Sequence, residues 1–420
     1  MRSLKKAVLL FALLALLAVL TATLSSCGEG KKEKIVLNVY NWGEYISDGS
    51  EGSLDVNKAF EKYYLETYGV EMTVNYTTYA SNEDLYAKLK SGATGYDIII
   101  PSDYMIQRMI EDEGGNMLEE LDFSNIPNYK YIAEHCKGLI YDPEEKYTVP
   151  YTYGMVGVIY NTTMVDEEDT GTWELLYNEK YKGQILQFNN SRDAFGTAMY
   201  MMGIDVNTTD MTKWNAALDK LVEQKPLVQS YVMDEIYNKM EGGEAAISAY
   251  YAGDYLSMAE NNSDLAFFYP VNEKGEYVTN IFVDAMCIPK GCGNKLAAER
   301  YINFMLSKEA AIANAEYIYY ASPNSLVYDD PEYQEYMGEE GMALLYPEDM
   351  DFAKVYDTYA YENLDPEMLQ EVNNLWEQLK VEDSSLGNGV YIACGVLVAA
   401  LIAFFTVSYV KKLRRRRYYW

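Results

Sequence analysis

The sequence predicts an α/β fold built around a parallel β-sheet. Strand-like and helix-like patterns alternate in the first part of the chain, beginning with Ile35, Leu37 and Val39 at every second position. Strands that alternate with helices form right-handed crossovers, which make neighbouring strands parallel. The chain has 420 residues and is 49% hydrophobic and 14% aromatic, which is ample for a core. Without its terminal segments, this length suggests two domains or one large two-lobed domain.

The elements predicted for this region are, in order, a strand at residues 35–39, a helix at about 54–67 that stops near Gly69, a strand at 71–76, a helix capped by Ser81 and ended by Gly92, a buried strand at 96–100 and a helix after Tyr104. In open α/β sheets, ligands bind beyond the carboxyl ends of the strands. Residues 42–45 and 102–104 hold this position, so they are the first candidates for a site. The alternative is that Trp42 and Tyr45 fold back onto the core.

The charge balance disfavours several classes of function. The chain contains 34 Lys+Arg and 64 Asp+Glu, a net charge of −30, so nucleic acid is not an expected partner. His135 is the only histidine, which excludes multi-histidine metal sites and leaves little scope for histidine-based catalysis. The sequence has no P-loop, HExxH or CxxC motif. We therefore expect no enzymatic activity, metal or cofactor, although a carboxylate-based glycosidase is kept as an alternative.

The N-terminus has the pattern of an export signal. Arg2, Lys5 and Lys6 precede an apolar run at residues 7–20. The Leu-Ser-Ser-Cys tetrad at residues 24–27 resembles the lipobox of bacterial lipoproteins. This resemblance implies a signal peptide at residues 1–26, a lipidated Cys27 and a tether at residues 27–33. The alternative is an ordinary cleaved signal with an incidental cysteine.

The C-terminus has the pattern of a membrane span. Residues 390–410 carry no charge and are followed by six basic residues between Lys411 and Arg417. At about 1.5 Å per residue, such a helix crosses a hydrocarbon core about 30 Å thick. We predict a linker at residues 381–389, a transmembrane helix at 390–410 and a basic cytoplasmic tail at 411–420. Everything before the span would then lie on the outer face of a bacterial plasma membrane or in the periplasm. A buried core helix is the alternative.

Three cysteines lie outside the terminal segments: Cys136, Cys287 and Cys292. A disulfide between Cys287 and Cys292 is conceivable in an exported protein. The odd number and the absence of a CxxC motif favour unpaired core residues instead.

Aromatic residues and carboxylates suggest a site for an organic cation. The chain contains 42 tyrosines, and acids lie close to aromatic residues at Asp193, Asp254 and Asp284. Aromatic faces attract cations, and carboxylates form charge-assisted hydrogen bonds with ammonium groups. The alternative for each acid is a helix cap, a turn residue or a surface acid.

Several ordered motifs resemble one known family. These motifs are Val39-Tyr40-Asn41-Trp42-Gly43-Glu44-Tyr45-Ile46, the helix from Ser81 to Leu89, the segment from Tyr96 to Tyr104, Val149-Pro150-Tyr151, Tyr181-Lys182-Gly183, Ser191-Arg192-Asp193 to Phe195, Phe282 with Asp284, and Ser322-Pro323-Asn324. They resemble motifs of the extracytoplasmic solute-binding proteins of polyamine ABC importers, the spermidine/putrescine-binding type. The resemblance covers about residues 35–380.

The resemblance implies a two-lobed α/β fold of the periplasmic-binding-protein type II class, with a ligand cleft between the lobes. Lobe one would comprise residues 34–151 and 284–324, and lobe two residues 152–283 and 325–380. The family's site maps here onto the aromatic residues Trp42, Tyr45, Tyr104, Tyr251, Phe282 and Tyr320, the polar Ser102, and the carboxylates Asp193, Asp254 and Asp284. A monomer that delivers putrescine or spermidine to ABC permease subunits is the implied function.

Some residues depart from the family pattern. Asn190 stands where the spermidine type often has an acid, and Tyr251 and Phe282 stand where tryptophans are frequent. The choice between the two polyamines therefore stays open. A ferric-ion-binding protein, suggested by the tyrosine pairs at 250–251 and 319–320, and a ligand-sensing receptor are the alternatives.

Overall fold

The computed structural model describes residues 34–92 and 95–381, which fall into two compact units. Unit 1 contains the described residues up to Gly154 together with Val283–Pro347, and unit 2 contains Met155–Phe282 and the described residues from Glu348 onward. The predicted signal peptide, the lipidated Cys27, the tether, the transmembrane helix, the basic tail and nearly all of the linker lie outside the described residues. No helix in residues 34–92 and 95–381 is long and apolar enough to cross a membrane.

The strands are β1 (Lys34–Trp42), β2 (Glu71–Tyr79), β3 (Ile98–Ile99), β4 (Thr148–Asn161), β5 (Ile185–Phe188), β6 (Val228–Val232), β7 (Ile247–Tyr251), β8 (Leu265–Phe268) and β9 (Ile281–Cys287). The helices are α1 (Val56–Tyr68), α2 (Asn82–Lys90), α3 (Asp103–Ile110), α4 (Ser191–Met202), α5 (Met211–Gln224), α6 (Glu235–Glu241), α7 (Ala252–Asn261), α8 (Lys295–Met305), α9 (Lys308–Ile318), α10 (Ser325–Tyr328), α11 (Pro331–Leu345), α12 (Phe352–Tyr359) and α13 (Pro366–Val381). Short 3-10 turns occur at Ser50–Gly52, Phe123–Asn125, Pro127–Tyr131, Glu134–Cys136, Glu167–Asp169, Trp173–Tyr177, Glu179–Tyr181 and Lys225–Leu227.

Unit 1 contains the predicted parallel sheet. Strand β1 pairs in parallel with β2 along its whole length and with β3 on its other side, while β3 meets β9 in an antiparallel pair. The apolar side chains of Leu37, Val39 and Phe60 are fully buried, which accounts for the alternation in β1 and for the packing of α1. The prediction of parallel strands joined by helices is confirmed.

Local capping explains where the helices of unit 1 begin and end. The Asp55 carboxylate accepts from the Lys58 N–H at the start of α1, and Gly69 ends that helix in the left-handed conformation. The Ser81 hydroxyl accepts from the Asp84 N–H and caps α2, as predicted. The predicted buried strand at residues 96–100 is reduced to the two residues of β3.

Unit 2 contains a mixed sheet. Strand β4 pairs antiparallel with both β7 and β8, and β5 pairs in parallel with β6 and β7. Almost every residue of β4 is buried, as expected for a strand that is covered on both faces.

The structure corrects the predicted boundary at residue 325. Helices α10 and α11, predicted to belong to lobe two, are part of unit 1. Val327 and Tyr333 from these helices form one buried cluster with Ala311 and Ala315 of α9. Apolar packing against α9 therefore decides where these helices belong, and the chain passes to unit 2 only after Pro347.

Cys136, Cys287 and Cys292 are free thiols. The Cys287 thiol donates to the Ala285 carbonyl at 3.6 Å, and the Cys292 thiol donates to Asp97 Oδ1 at 3.2 Å. The preferred prediction of unpaired cysteines is confirmed, and the conceivable Cys287–Cys292 bridge is not formed.

Candidate functional site

Asp284 is the carboxylate around which the site residues of unit 1 gather. It lies on β9, is only 4% exposed, and its backbone forms an isolated antiparallel bridge with Ser102. The Tyr45 hydroxyl donates to Oδ2 at 2.6 Å. Oδ1 is buried and has no hydrogen-bond partner within the described residues. One side of this carboxylate is thus held by a neutral donor, while the other has an unused capacity to accept hydrogen bonds.

Tyr45 is held in place by its own backbone and by β4. It follows Glu44, which adopts the left-handed conformation at φ 49°, in the loop after β1. The Tyr45 hydroxyl lies 2.6 Å from Thr152 Oγ1, and the Tyr151 hydroxyl donates to the Tyr45 carbonyl at 3.0 Å. The Tyr320 ring lies edge-on to the Tyr45 ring, with 5.3 Å between centroids. We call Tyr45, Ser102, Thr152, Asp284 and Tyr320 the Asp284 cluster.

Burial dominates the electrostatics of the Asp284 cluster. It raises the pKa of Asp284 to about 6, against an opposing effect of hydrogen bonding by Ser102 and Tyr45. Burial and the nearby Asp284 charge raise the pKa of Tyr45 well above its usual range, so this phenol remains a neutral donor. No positively charged side chain among the described residues forms a salt bridge with Asp284, so its charge is uncompensated.

The other predicted residues of unit 1 lie around this cluster. Asn82 Nδ2 donates to the Ser102 hydroxyl at 3.1 Å and to the Tyr104 hydroxyl at 3.2 Å, so Asn82 links these two side chains. The Trp42 ring packs against Tyr79 with 4.6 Å between centroids. Its buried Nε1–H has no hydrogen-bond partner within the described residues. Tyr104 is thus held by Asn82 of the Ser81–Leu89 motif, and Trp42 by Tyr79, which the sequence did not single out.

In unit 2, Asp193 is bound by three neutral donors. Asn190 caps α4, and its Nδ2 donates to Asp193 Oδ2 at 2.7 Å. The Tyr251 hydroxyl donates to the same oxygen at 2.6 Å, and the Tyr361 hydroxyl lies 3.2 Å from Oδ1. The Phe282 ring stands edge-on to Tyr251, with 5.4 Å between centroids. We call Asn190, Asp193, Tyr251, Phe282 and Tyr361 the Asp193 cluster.

Burial also governs the charge state of Asp193. It raises the pKa of this carboxyl, whereas hydrogen bonds from Tyr251, Asn190 and Tyr361 lower it. Burial and the Asp193 charge raise the pKa of Tyr251 well above its usual range. The arrangement again places a buried carboxylate among neutral hydroxyl and amide donors.

Asp254 is set apart from Asp193 by its own tyrosine partner. It lies in the first turn of α7 and accepts a short hydrogen bond from the Tyr237 hydroxyl. The rings of Tyr250 and Tyr251, which precede α7, contact each other with 4.9 Å between centroids. The Asp254 and Asp193 charges both act on the pKa of Tyr251, which places this phenol near both acids.

Sequence reasoning missed Thr152, Tyr237 and Tyr361. Thr152 directly follows the Val149-Pro150-Tyr151 motif, so alternation along β4 was a usable signal for it. No comparable signal pointed to Tyr361, because it is 168 positions from the carboxylate that it contacts.

The tyrosine pairs do not favour ferric-ion binding. Burial raises the pKa values of Tyr250 and Tyr251 well above the usual range, which opposes the phenolate form that ferric ion requires. The Tyr319 hydroxyl is 2.9 Å from the Tyr336 hydroxyl, and the two rings stack. No group of three His, Cys, Asp or Glu side chains suited to a metal ion occurs in the part of the chain that the structure describes.

Comparison with known proteins decides the family. The family model for bacterial extracellular solute-binding proteins matches residues 57–338, well over half of the chain. The chain belongs to this family. Its members bind solutes for ABC transporters and are not enzymes, so the prediction that the chain is not an enzyme is confirmed.

Relatives and solved structures support the same assignment. The spermidine/putrescine-binding periplasmic protein of Escherichia coli (strain K12) is 30% identical over 289 residues, which is 69% of this chain and 77% of that protein. The putrescine-binding periplasmic protein PotF of the same strain is 26% identical over 329 residues, or 74% of this chain and 82% of that protein. The structure of the spermidine/putrescine ABC transporter substrate-binding protein PotD from Streptococcus pneumoniae aligns with a TM-score of 0.65 at 32% identity, covering 83% of this chain and 99% of that one. The predicted family resemblance and the α/β periplasmic-binding-protein-like fold are confirmed.

Proposed function

We propose that this solute-binding protein captures a polyamine, putrescine or spermidine, outside the cytoplasm and delivers it to an ABC importer. The observation that carries the proposal is Asp284, a buried carboxylate with one oxygen held by Tyr45 and the other without a partner in the described residues. A buried charge of this kind is costly unless it is paired. An ammonium group supplies both the opposite charge and the missing donors.

The predicted site residues act on different parts of such a ligand. Asp284, Asp193 and Asp254 hold ammonium groups through charge-assisted hydrogen bonds. Within each cluster, the aromatic residues attract the charged ends of the ligand, with cation–π contacts worth about 0.5 to 2 kcal/mol each. The similarity to spermidine/putrescine-binding proteins of Escherichia coli and Streptococcus pneumoniae supports polyamine as the ligand class.

Isothermal calorimetry on the full chain in detergent tests the proposal. We expect one-to-one binding of putrescine or spermidine to folded, ligand-free protein. The matched control ligand is 1,4-butanediol, which keeps the four-carbon chain of putrescine but carries hydroxyls instead of ammonium groups, and it should not bind. Binding of ferric citrate without polyamine binding, or equal binding of the diol, would contradict the proposal.

We also propose that the protein is a monomer tethered to the membrane by a lipid on Cys27 and by the helix at residues 390–410, with the tail at 411–420 in the cytoplasm. The support is the lipobox-like tetrad and the uncharged run closed by basic residues. Metabolic labelling with a radioactive fatty acid tests the first anchor, because Cys27→Ser should abolish the label. For the second, a chain ending at residue 385 and carrying Cys27→Ser should be released from membranes. Retention of that double variant on membranes would contradict the two-anchor proposal.

A further inference from the structure

Residues 359–362, which we call the C-terminal strap, are hydrogen-bonded to the helix that carries Asp193 and to the loop that follows this helix. The Tyr200 hydroxyl donates to the Tyr359 carbonyl at 2.9 Å. Asn207 Nδ2 donates to the Ala360 carbonyl at 2.8 Å, and the Glu362 N–H donates to Asn207 Oδ1 at 2.8 Å. Three contacts to its backbone therefore fix the position of the strap within unit 2.

The strap places one side chain, Tyr361, against the Asp193 carboxylate. The Tyr361 hydroxyl lies 3.2 Å from Asp193 Oδ1 and 3.1 Å from the Arg192 carbonyl, so its one proton is shared between two acceptors. The Arg192 guanidinium lies 4.6 Å from the centre of the Tyr361 ring. At Gly196, a Cβ atom would come within 2.3 Å of the Tyr361 hydroxyl oxygen. The absence of a side chain at Gly196 is thus what lets this hydroxyl reach the carboxylate.

Tyr361 acts on the oxygen of Asp193 that the other donors leave open. Asn190 Nδ2 and the Tyr251 hydroxyl both bind Oδ2, which uses the two lone pairs of that oxygen. Oδ1 receives the Tyr361 hydroxyl, and its second lone pair remains. Fixing both oxygens stops the carboxylate from rotating about its Cβ–Cγ bond and sets the direction of that remaining lone pair.

We propose that Tyr361 is a positioning residue of the ligand site, which orients the Asp193 carboxylate so that Oδ1 can accept a hydrogen bond from a ligand ammonium group. The inference rests on the proposed polyamine function and on Asp193 being part of the site. Tyr361 acts on the ligand through Asp193. Through Tyr361, the strap, which precedes α13, contributes to the ligand site.

A pH profile separates this role from a structural one. The titratable and charged groups around Asp193 are Tyr251 and Tyr250 from the end of β7, Tyr200 and Arg192 from its own helix, and Tyr361 from the strap. The Tyr361 hydroxyl lowers the pKa of Asp193, so removing it raises that pKa further. Loss of affinity on acidification should then begin at a higher pH in a variant that lacks this hydroxyl.

The experiment compares polyamine dissociation constants of the full chain, four single variants and two double variants by calorimetry between pH 5 and 8. Tyr361→Phe keeps the ring and should weaken binding about tenfold at neutral pH. Gly196→Ala should give a similar loss of affinity. Combined with Asp193→Asn in a double variant, neither change should lower the polyamine affinity below that of Asp193→Asn alone. Tyr181→Phe is the matched control, because it removes a buried tyrosine hydroxyl of unit 2 that donates to a different aspartate, Asp169, and it should leave both affinity and pH profile unchanged.

The outcomes separate this inference from the proposed function. If the unmodified chain binds no polyamine, the proposed function fails, and the inference fails with it. If the unmodified chain binds but Tyr361→Phe binds equally well with an unmoved pH profile, only the role of Tyr361 is refuted. Equal losses of affinity in Tyr361→Phe and Tyr181→Phe would assign the effect to a general loss of structure in unit 2 and would also refute the role of Tyr361.

Discussion

Replacing Asp284 by asparagine should weaken polyamine binding and at the same time stabilise the ligand-free protein. The substitution keeps the shape of the side chain and leaves an oxygen for the Tyr45 hydroxyl, which now donates at 2.6 Å. It removes the charge that an ammonium group would pair with. A hydrogen bond to a charged partner contributes about 1.5 to 3 kcal/mol, so the dissociation constant should rise by roughly 10- to 150-fold.

The gain in stability follows from the raised pKa of Asp284. This pKa is about 6 in the folded chain and 3.8 for an ordinary aspartate. The folded state therefore holds its proton more tightly than the unfolded state, and Asp284 contributes stability below pH 4 that is lost as the pH rises through 6. Two pKa units correspond to about 3 kcal/mol of destabilisation at pH 8. Asp284→Asn removes this destabilisation, but an amide N–H left unpaired in the buried position offsets part of the gain. We therefore expect the variant to be more stable than the unmodified chain by about 1 to 2 kcal/mol at pH 8.

Urea unfolding of ligand-free protein at pH 5 and pH 8, with calorimetric titration of putrescine and spermidine, measures both effects. The variant should be more stable than the unmodified chain at pH 8, and the difference should shrink at pH 5. Asp97→Asn is the matched control, since Asp97 is another buried aspartate of unit 1 but accepts from Asn38, Cys292 and Asn294. It should lose stability and keep its ligand affinity. The reasoning is refuted if Asp284→Asn binds polyamine as tightly as the unmodified chain. It is also refuted if the stability of the variant relative to the unmodified chain is lower at pH 8 than at pH 5.

Two further predictions concern acidity and packing. Polyamine affinity should fall as the pH is lowered through about 6, because protonation removes the Asp284 charge. Calorimetric titrations at pH 6 in buffers of different ionisation enthalpy should show that protons are released on binding. Affinity that stays constant down to pH 5 would speak against an ionised Asp284 in the complex. Gly157→Ala should destabilise unit 2 by more than about 1 kcal/mol in urea unfolding, because its Cβ would lie 2.2 Å from the Phe267 ring and 2.6 Å from the Phe268 carbonyl oxygen. Gly293→Ala, which meets no atom within 4 Å, is the control and should be close to neutral.

Local signals made the first part of the fold predictable. Ser81 and Gly69 mark helix ends through hydrogen bonding and backbone conformation that depend on one or two residues, and the structure places both as predicted. The boundary at residue 325, in contrast, was implied by the family resemblance alone, and it differs from the division into units in the structure. The unit to which helices α10 and α11 belong depends on the apolar surface against which they pack. That surface is provided by α9.

The candidate site was predictable only where family motifs carried it. Asp284 and Tyr45 are 239 positions apart, and no periodicity connects them, yet the structure places their side chains in contact. Tyr361 lies outside every motif, and its contact with Asp193 also depends on Gly196 leaving space. Contacts between residues that are distant in the sequence leave no local sequence signal. This part of the candidate site is therefore visible only in the three-dimensional structure.

The composition and the site together suggest how cations are selected. An excess of acids over the whole surface attracts any cation and raises its local concentration, but it does not distinguish a metal ion from an amine. Asp284 and Asp193 differ from surface acids because they are buried and accept hydrogen bonds from tyrosine hydroxyls and an asparagine amide. Neutral donors fix the direction of each carboxylate. The Arg192 charge also acts on Asp193, so it is the charge of Asp284 above all that is left for the ligand to compensate. A ligand that brings both positive charge and directed N–H groups satisfies this arrangement better than a simple ion does, because an ion offers charge without hydrogen-bond direction.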